Sequence, residues 1–591
     1  MGCCDMPLDP VYGRPSRRRR TVTCRRNLER DEACDRRPAR LDAPGCGRRR
    51  LRLVERIGTG HDLLLLLARR LLADRPAGAG GEPPLNLLRG LSGRVHARAI
   101  ACELTMDHAP IATPPAARSR PIWQRPVSRR SVLATGAAGA TAAALAALWK
   151  GNDLSDILDR VRDYTHGYQG ALRTPRVRAA HLLRRAGFGA TSAELDRYAA
   201  MTSTMMTESV LSYQSTSNAA LEAQLPTLDL ASDKGPTPGA VQAWWLQRMV
   251  QTARPLEEKM TLFWHGLLTS GLDKAGPAQL YTQNQLFRKM ALANFGDLLK
   301  AVSKDPAMMV YLDTETNRKG KPNENYAREL MELFTTGIGH YTEDDVRESA
   351  RAFTGWTLTG GKQLRYTTDS VFNPRFFDSG QKTFMGKSGN FTGDDIVEML
   401  VPLRATAERL SARLFTFFAY PNPEPEIVRH LADTFQQSHY NVGALVREIF
   451  AMDAFYAPKA YRALIKSPVE LAAQTLRATG SDARAYGAAV TASAAMGQVL
   501  FYPPNVAGWP AGTSWINSST LLTRLNFVNA ATQRMRSSSS GSTLDQLMST
   551  LVDGSISPTT KDGLEAFTAA HPQNQAGLLF MVLATPEFQL N

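Results

Sequence analysis

The sequence predicts a mainly α protein, a large multi-helix globular body carrying a small β-hairpin insertion. Three observations predict it. From about Arg176 onward, apolar residues recur at the three-to-four residue period of an amphipathic helix. Proline, glycine and capping residues punctuate that pattern at helix-length intervals. Strand signals are confined to one stretch between Thr357 and Gly386.

The elements follow in order. Arg178–Ala186 is helical and stops at Gly187-Phe188-Gly189. Thr191 caps the next helix, with Glu194 three residues on as a capping box. Residues 214–238, rich in Ser, Thr, Pro and Gly, form a loop. Val241–Ala253 and Leu256–Leu268 are helices parted by Pro255. Helical segments then fall at 277–293, 306–313, 322–336, 343–354, 403–419, 424–437, 442–450 and 466–479. Gly360-Gly361, between short β-prone runs, marks a hairpin over Thr357–Phe372, and Lys382–Gly386 is expected to pair with it. Ser537–Ser540 is a linker before a C-terminal helical piece.

Charge and cysteine divide the chain. Residues 1–150 hold 28 Lys and Arg against 13 Asp and Glu, whereas the remainder holds 42 of each. The net charge of +15 therefore lies at the front, and the neutral body has no electrostatic footprint for nucleic acid. All six cysteines precede Met106. The body thus has no disulfide, thiolate metal site or cysteine nucleophile, which suits an oxidising compartment.

Residues 1–105 are Arg-rich without sustained periodicity, and read as non-native upstream translation or a disordered basic arm. From Met106 to Lys150 the chain reads as an export leader. Ser128-Arg129-Arg130-Ser131-Val132-Leu133 resembles the twin-arginine consensus, and Ser131–Trp149 is uncharged and only weakly apolar. Ala144-Leu145-Ala146 offers a cleavage site. Uncleaved, the segment would be the chain's only membrane contact. Residues 151–175 then form a linker, 176–535 the main helical domain and 536–591 its C-terminal extension.

One stretch carries a family resemblance. It runs Asn323-Glu324-Asn325-Tyr326-Ala327-Arg328-Glu329-Leu330-Met331-Glu332-Leu333-Phe334, with Gly337-Ile338-Gly339-His340 and Thr354-Gly355-Trp356 after it. Further motifs occur in order: His181-Leu182-Leu183-Arg184-Arg185, Phe263-Trp264-His265, Lys382-Thr383-Phe384, Ile465-Lys466-Ser467-Pro468 and Pro503-Pro504-Asn505-Val506-Ala507-Gly508-Trp509. Together they resemble the domain of unknown function 1800 family of large exported bacterial proteins. That family resembles His-Asp before the Lys-Thr motif, where this chain has Phe377-Asp378. The resemblance implies export and a role alongside a second exported family, and brings no established activity.

Candidate chemistry centres on 322–336. At 100° per residue, Tyr326, Ala327, Leu330, Met331, Leu333 and Phe334 share one arc. Glu324, Arg328, Glu329, Glu332, Thr335 and Thr336 share the other. The arc is a solvated salt-bridged face, or it lines a cleft in which Glu329 and Glu332 act as acid and base around Arg328. His265, a heptad after Glu258, is a further catalytic candidate, otherwise a core histidine. Asp313 and Glu324 are spaced like the ends of a calcium loop, though Arg318 stands where glycine belongs. With His340 they are candidate ligands for a divalent metal. Trp509, Trp515, Asn517 and Arg524 flank a Pro/Gly-rich loop, and read as a glycan or partner surface or as pins holding the loop to the core. Two functions stay open. One is a periplasmic or envelope hydrolase-like enzyme with a carboxylate/His cleft. The other is a non-catalytic binding or assembly module for an exported partner or cell-envelope glycan.

Overall fold

Prolines and caps set the helix starts in the computed structural model, which describes residues 171–230, 235–359, 367–480, 482–535 and 541–591. Proline occupies the first turn of α1 (Pro175–Arg185), where its missing N–H costs no bond. Thr191 and Glu194 close the expected capping box on α2 (Ser192–Ala199). Two short helices, α3 (Ser203–Leu211) and α4 (Ala219–Glu222), lead through the loop to α5 (Pro238–Gln251). Pro255 then starts α6 (Pro255–Leu267), as it does not fit a helix interior. The next helices are α7 (Pro277–Lys289), α8 (Phe295–Val302) and α9 (Pro306–Tyr311). After them come α10 (Asn325–Glu329), widening into a π turn over Leu330–Phe334, and α11 (Glu343–Ala352).

Two small antiparallel hairpins interrupt the helices. Strand β1 (Trp356–Leu358) pairs with β2 (Ser370–Phe372), as expected; the Gly360-Gly361 turn lies outside the described residues. The expected third strand does not join them. β3 (Lys382–Phe384) pairs instead with β4 (Lys387–Gly389), because Met385 and Gly386, both at positive φ, close a two-residue turn. At the departure from the family pattern, Asp378 accepts from Arg351 Nε at 2.8 Å and Phe377 lies beneath the Lys382 ammonium.

The remaining helices are α12 (Gly393–Leu400), α13 (Arg404–Phe418), α14 (Pro425–Gln437), α15 (Val442–Ala451), α16 (Pro468–Thr479) and α17 (Ala483–Ala495). The chain finishes with α18 (Ser518–Thr532), α19 (Leu544–Leu551), α20 (Pro558–Ala570) and α21 (Gln575–Leu583). No helix among the described residues is long and apolar enough to cross a membrane.

Two hydrophobic cores result. One joins α1–α3 to α8–α15, and the other joins α5 to α16–α21. α6 serves both: Met260, Phe263, Trp264 and Leu267 enter the first core and Leu262 the second. α1 and the segment after α19 are tied together as well. Arg184 of α1 grips the buried Asp553, after α19, through two bonds of 2.5 and 2.8 Å, and Tyr461 Oη donates to the same carboxylate at 2.9 Å. Burial opposes charge on Asp553, but Arg184 and Arg462 hold its carboxyl below the usual range.

Candidate functional site

Because α6 is buried nearly all round, its polar residues must be answered from inside the protein. Glu258 accepts from Arg288 Nε and Nη2 (2.6 and 2.9 Å), Arg248 Nε (3.1 Å) and Trp245 Nε1 (3.0 Å). Burial alone would raise its pKa; the two guanidiniums hold it below the ordinary value. Lys259, equally buried, pairs with Glu470 of α16.

His265 has a different environment. Its ring packs against Trp245, Phe501 and Trp509 at centroid distances of 5.5, 5.3 and 5.3 Å. It is 1% exposed, and its Nε2 has no hydrogen-bond partner. Burial lowers its pKa from 6.5 to about 3, so the imidazole is neutral. The heptad spacing does place Glu258 and His265 in one groove, since Trp245 touches both. The groove is sealed, however, and brings no carboxylate of α10 to His265: its ring neighbours are aromatic.

A concavity lies where the C-terminal half of α6 meets the C-terminal half of α13. It is a cavity of about 550 Å³ lined by Phe263, Leu267, Phe417, Ile465, Trp509 and Trp515, among others. Three of the sequence motifs converge there through Phe263, Ile465 and Ser467, and Trp509. The Trp509 wall is pressed against α6. Gly508 sits at φ +86, and a Cβ there would run into the Gly266 carbonyl oxygen, so only glycine permits this approach. Glu470 reaches the lining from below, its charge met by Lys259 and by the Ser467 N–H at 2.8 Å. Arg413 of α13 also lines the cavity.

The aromatic set splits by role. Trp509 and Trp515 are cavity walls. Asn517 is taken up as the N-cap of α18, accepting from Ser519 and Thr520 N–H groups at 3.0 Å each. Arg524 is fully buried and donates to the Lys466 carbonyl at 2.8 Å, so it is a structural tie and offers no surface.

The acidic helix departs from its expected register. At the π turn the Thr335 and Thr336 hydroxyls donate to the Leu330 and Met331 carbonyls at 2.6 and 3.1 Å. Both threonines, expected on the polar arc, are therefore buried, and Leu333 is only half-buried. A π turn advances fewer degrees per residue than an α turn. Arg328 accordingly keeps Glu324 (3.3 Å) but takes Glu343 (2.7 and 2.8 Å) in place of Glu332. Glu332 instead accepts from Tyr341 Oη at 3.2 Å, while His340, the histidine among the metal candidates, is exposed. Glu329 is half-buried, and burial together with Glu332 raises its pKa.

The metal candidates are spread out. Asp313 faces Lys274 Nζ at 3.0 Å and Asn325 Nδ2 at 3.1 Å, and Glu324 faces Arg328. Among the described residues, no group of three or more His, Cys, Asp or Glu side chains is placed to hold a metal ion. Asp313, Glu324 and His340 do not form such a group.

The reading of the residues missed Arg413. Its signal was present: Arg409, Arg413, Thr416 and Phe417 stand at i, i+4, i+7 and i+8, a basic-aromatic stripe along one side of the helix.

The family model for DUF1800, a protein of unknown function, matches residues 181–590. The chain belongs to the DUF1800 family. No curated protein and no solved structure matches it. The match spans both cores and the cavity between α6 and α13, so this DUF1800 domain is the whole helical body from His181 to Leu590.

Proposed function

We propose that this protein is an exported bacterial binding protein that holds a small molecule with an apolar body in the cavity beneath Trp509. The cavity carries the reading. Its 550 Å³ falls within the roughly 300–1,000 Å³ of small-molecule sites, and it combines aromatic walls with a few polar groups. Such a lining suits an apolar body better than a bare sugar. Export rests on the twin-arginine resemblance at Arg129-Arg130 and on the cysteine-free body.

A second reading keeps the hydrolase-like chemistry, with Glu329 and Glu332 as an acid–base pair. The raised pKa of the half-buried Glu329 favours it. The sealed, neutral His265 takes no part in it.

The test uses the full chain exported with its own leader, titrated with the neutral probe N-phenyl-1-naphthylamine. Gly266 lines the cavity and a Cβ there meets nothing within 4 Å, so Gly266→Leu fills the space without strain. Saturable one-to-one binding to the wild type, weakened about tenfold or more in Gly266→Leu, is the expected result. Unsaturable binding, or equal binding by both proteins, overturns the proposal. A natural ligand recovered from the exported protein and returned chemically changed after incubation would promote the acid–base reading.

A further inference from the structure

We propose that the ligand of this cavity is an amphipathic anion, an apolar chain ending in a carboxylate, with its head on the Arg413 guanidinium. This deepens the binding reading above and rests on it.

Arg413 is a half-buried cation in the cavity wall, and no carboxylate among the described residues lies within ion-pair distance of it. Burial lowers its pKa, and the neighbouring charge is a second cation, Arg409, one turn earlier on α13. Arg409 itself faces Glu332, but Arg413 does not. A guanidinium held out of bulk water without an anion costs free energy in the empty protein, and an incoming carboxylate removes that cost through a two-pronged bond.

The floor of the cavity points the same way. Lys466, between the lining residues Ile465 and Ser467, is buried and donates to the Phe588 carbonyl. Arg185 donates to the Ala460 carbonyl at 2.6 Å and Arg524 to the Lys466 carbonyl at 2.8 Å. All three donate to carbonyl oxygens; burial lowers the pKa of each, and the Glu470 charge opposes that shift. The side-chain carboxylate in the lining, Glu470, is engaged by Lys259 and by the Ser467 N–H, and the chain-terminal Asn591 stands in the same lining. Of the two arginines in the lining, Arg462 has Asp553 at 3.8 Å and Arg413 has no such partner among the described residues, so a partly desolvated guanidinium is left to attract a negative head group. The aromatic and aliphatic remainder of the lining, including Phe263, Phe417 and Trp515, accepts an apolar tail.

The test compares decanoate with decanol, the same chain with and without charge, as competitors of N-phenyl-1-naphthylamine on the full exported protein at neutral pH. The wild type is expected to take decanoate about tenfold or more tightly than decanol. Arg413→Gln should remove that preference, and Arg413→Lys should keep part of it. Equal binding of the two by the wild type overturns the proposal even if Arg413→Gln does not fold, and so does a preference that survives Arg413→Gln. In both cases Gly266→Leu still weakens the probe, and the cavity reading stands. If the probe, decanoate and decanol all fail to bind, both readings fall together.

Discussion

A neutral imidazole enclosed by three aromatic rings ties the fold's stability to pH. His265 titrates near 3 in the folded protein and near 6.5 when exposed. Between those values the unfolded chain binds a proton that the folded one refuses. Stability is thus fully present above pH 6.5 and falls as pH drops toward 3, by about 1.4 kcal/mol per pH unit for this group. His181, fully buried and also pushed well below its ordinary value by burial and by Arg185, adds to the same limb. His265→Phe should flatten the acid limb by one proton's worth of slope in urea unfolding between pH 6.5 and 4. An unchanged slope would mean that the imidazole is not sealed. The sequence raised both roles for His265, core or catalytic, and could not choose between them. That choice depends on Trp245, Phe501 and Trp509, which lie on three other segments. Asn517 and Arg524 show the same difficulty: their residue types suit a ligand, but one caps a helix and the other bridges buried carbonyls.

At the scale of elements, the Trp509 loop and α6 meet with no room for a side chain. Gly508→Ala must take a left-handed φ and displace the Gly266 carbonyl. The first effect alone costs about 1–2 kcal/mol. The variant should lose at least that much in urea unfolding and should bind the naphthylamine probe more weakly. Gly266→Ala, facing open space across the same contact, should stay within about 0.5 kcal/mol of wild type. Equal stability of the two variants would show that the loop does not rest on the helix. Most helices were legible because prolines and caps announce them. α8 and α12 were missed although Asn294 and the Thr392–Asp395 box cap them, because each is only eight residues long and shows little more than two turns of periodicity. α17 was missed because its alanine-rich stretch has no contrasting face. The π turn was illegible for another reason. It conserves composition while changing pitch, so a fixed angle per residue misplaces everything after Glu329.

At the scale of the whole molecule, the mainly α class and the family were readable because periodicity and ordered motifs extend over hundreds of residues. The cavity was not, since its walls come from α6, α13, the stretch after Tyr461 and the Trp509 loop, which only the packing of two cores brings together. The proposed export leader lies outside the described residues and is testable by itself. Replacing Arg129 and Arg130 with lysine should leave folded, probe-binding protein in the cytoplasm and reduce the exported fraction at least about tenfold, as read by cell fractionation. Undiminished export would show that another route reads the leader.

The grip of Arg184 on Asp553 has a consequence for the order of events during synthesis. The two residues are 369 positions apart, so at about 5–20 residues per second the arginine waits roughly 20–70 seconds for its counter-charge to be made. Until then Arg184, buried in the finished fold, lacks the carboxylate that answers its charge. The tie between α1 and the segment after α19 is therefore one of the late contacts of this fold, made only once Asp553 has joined the chain.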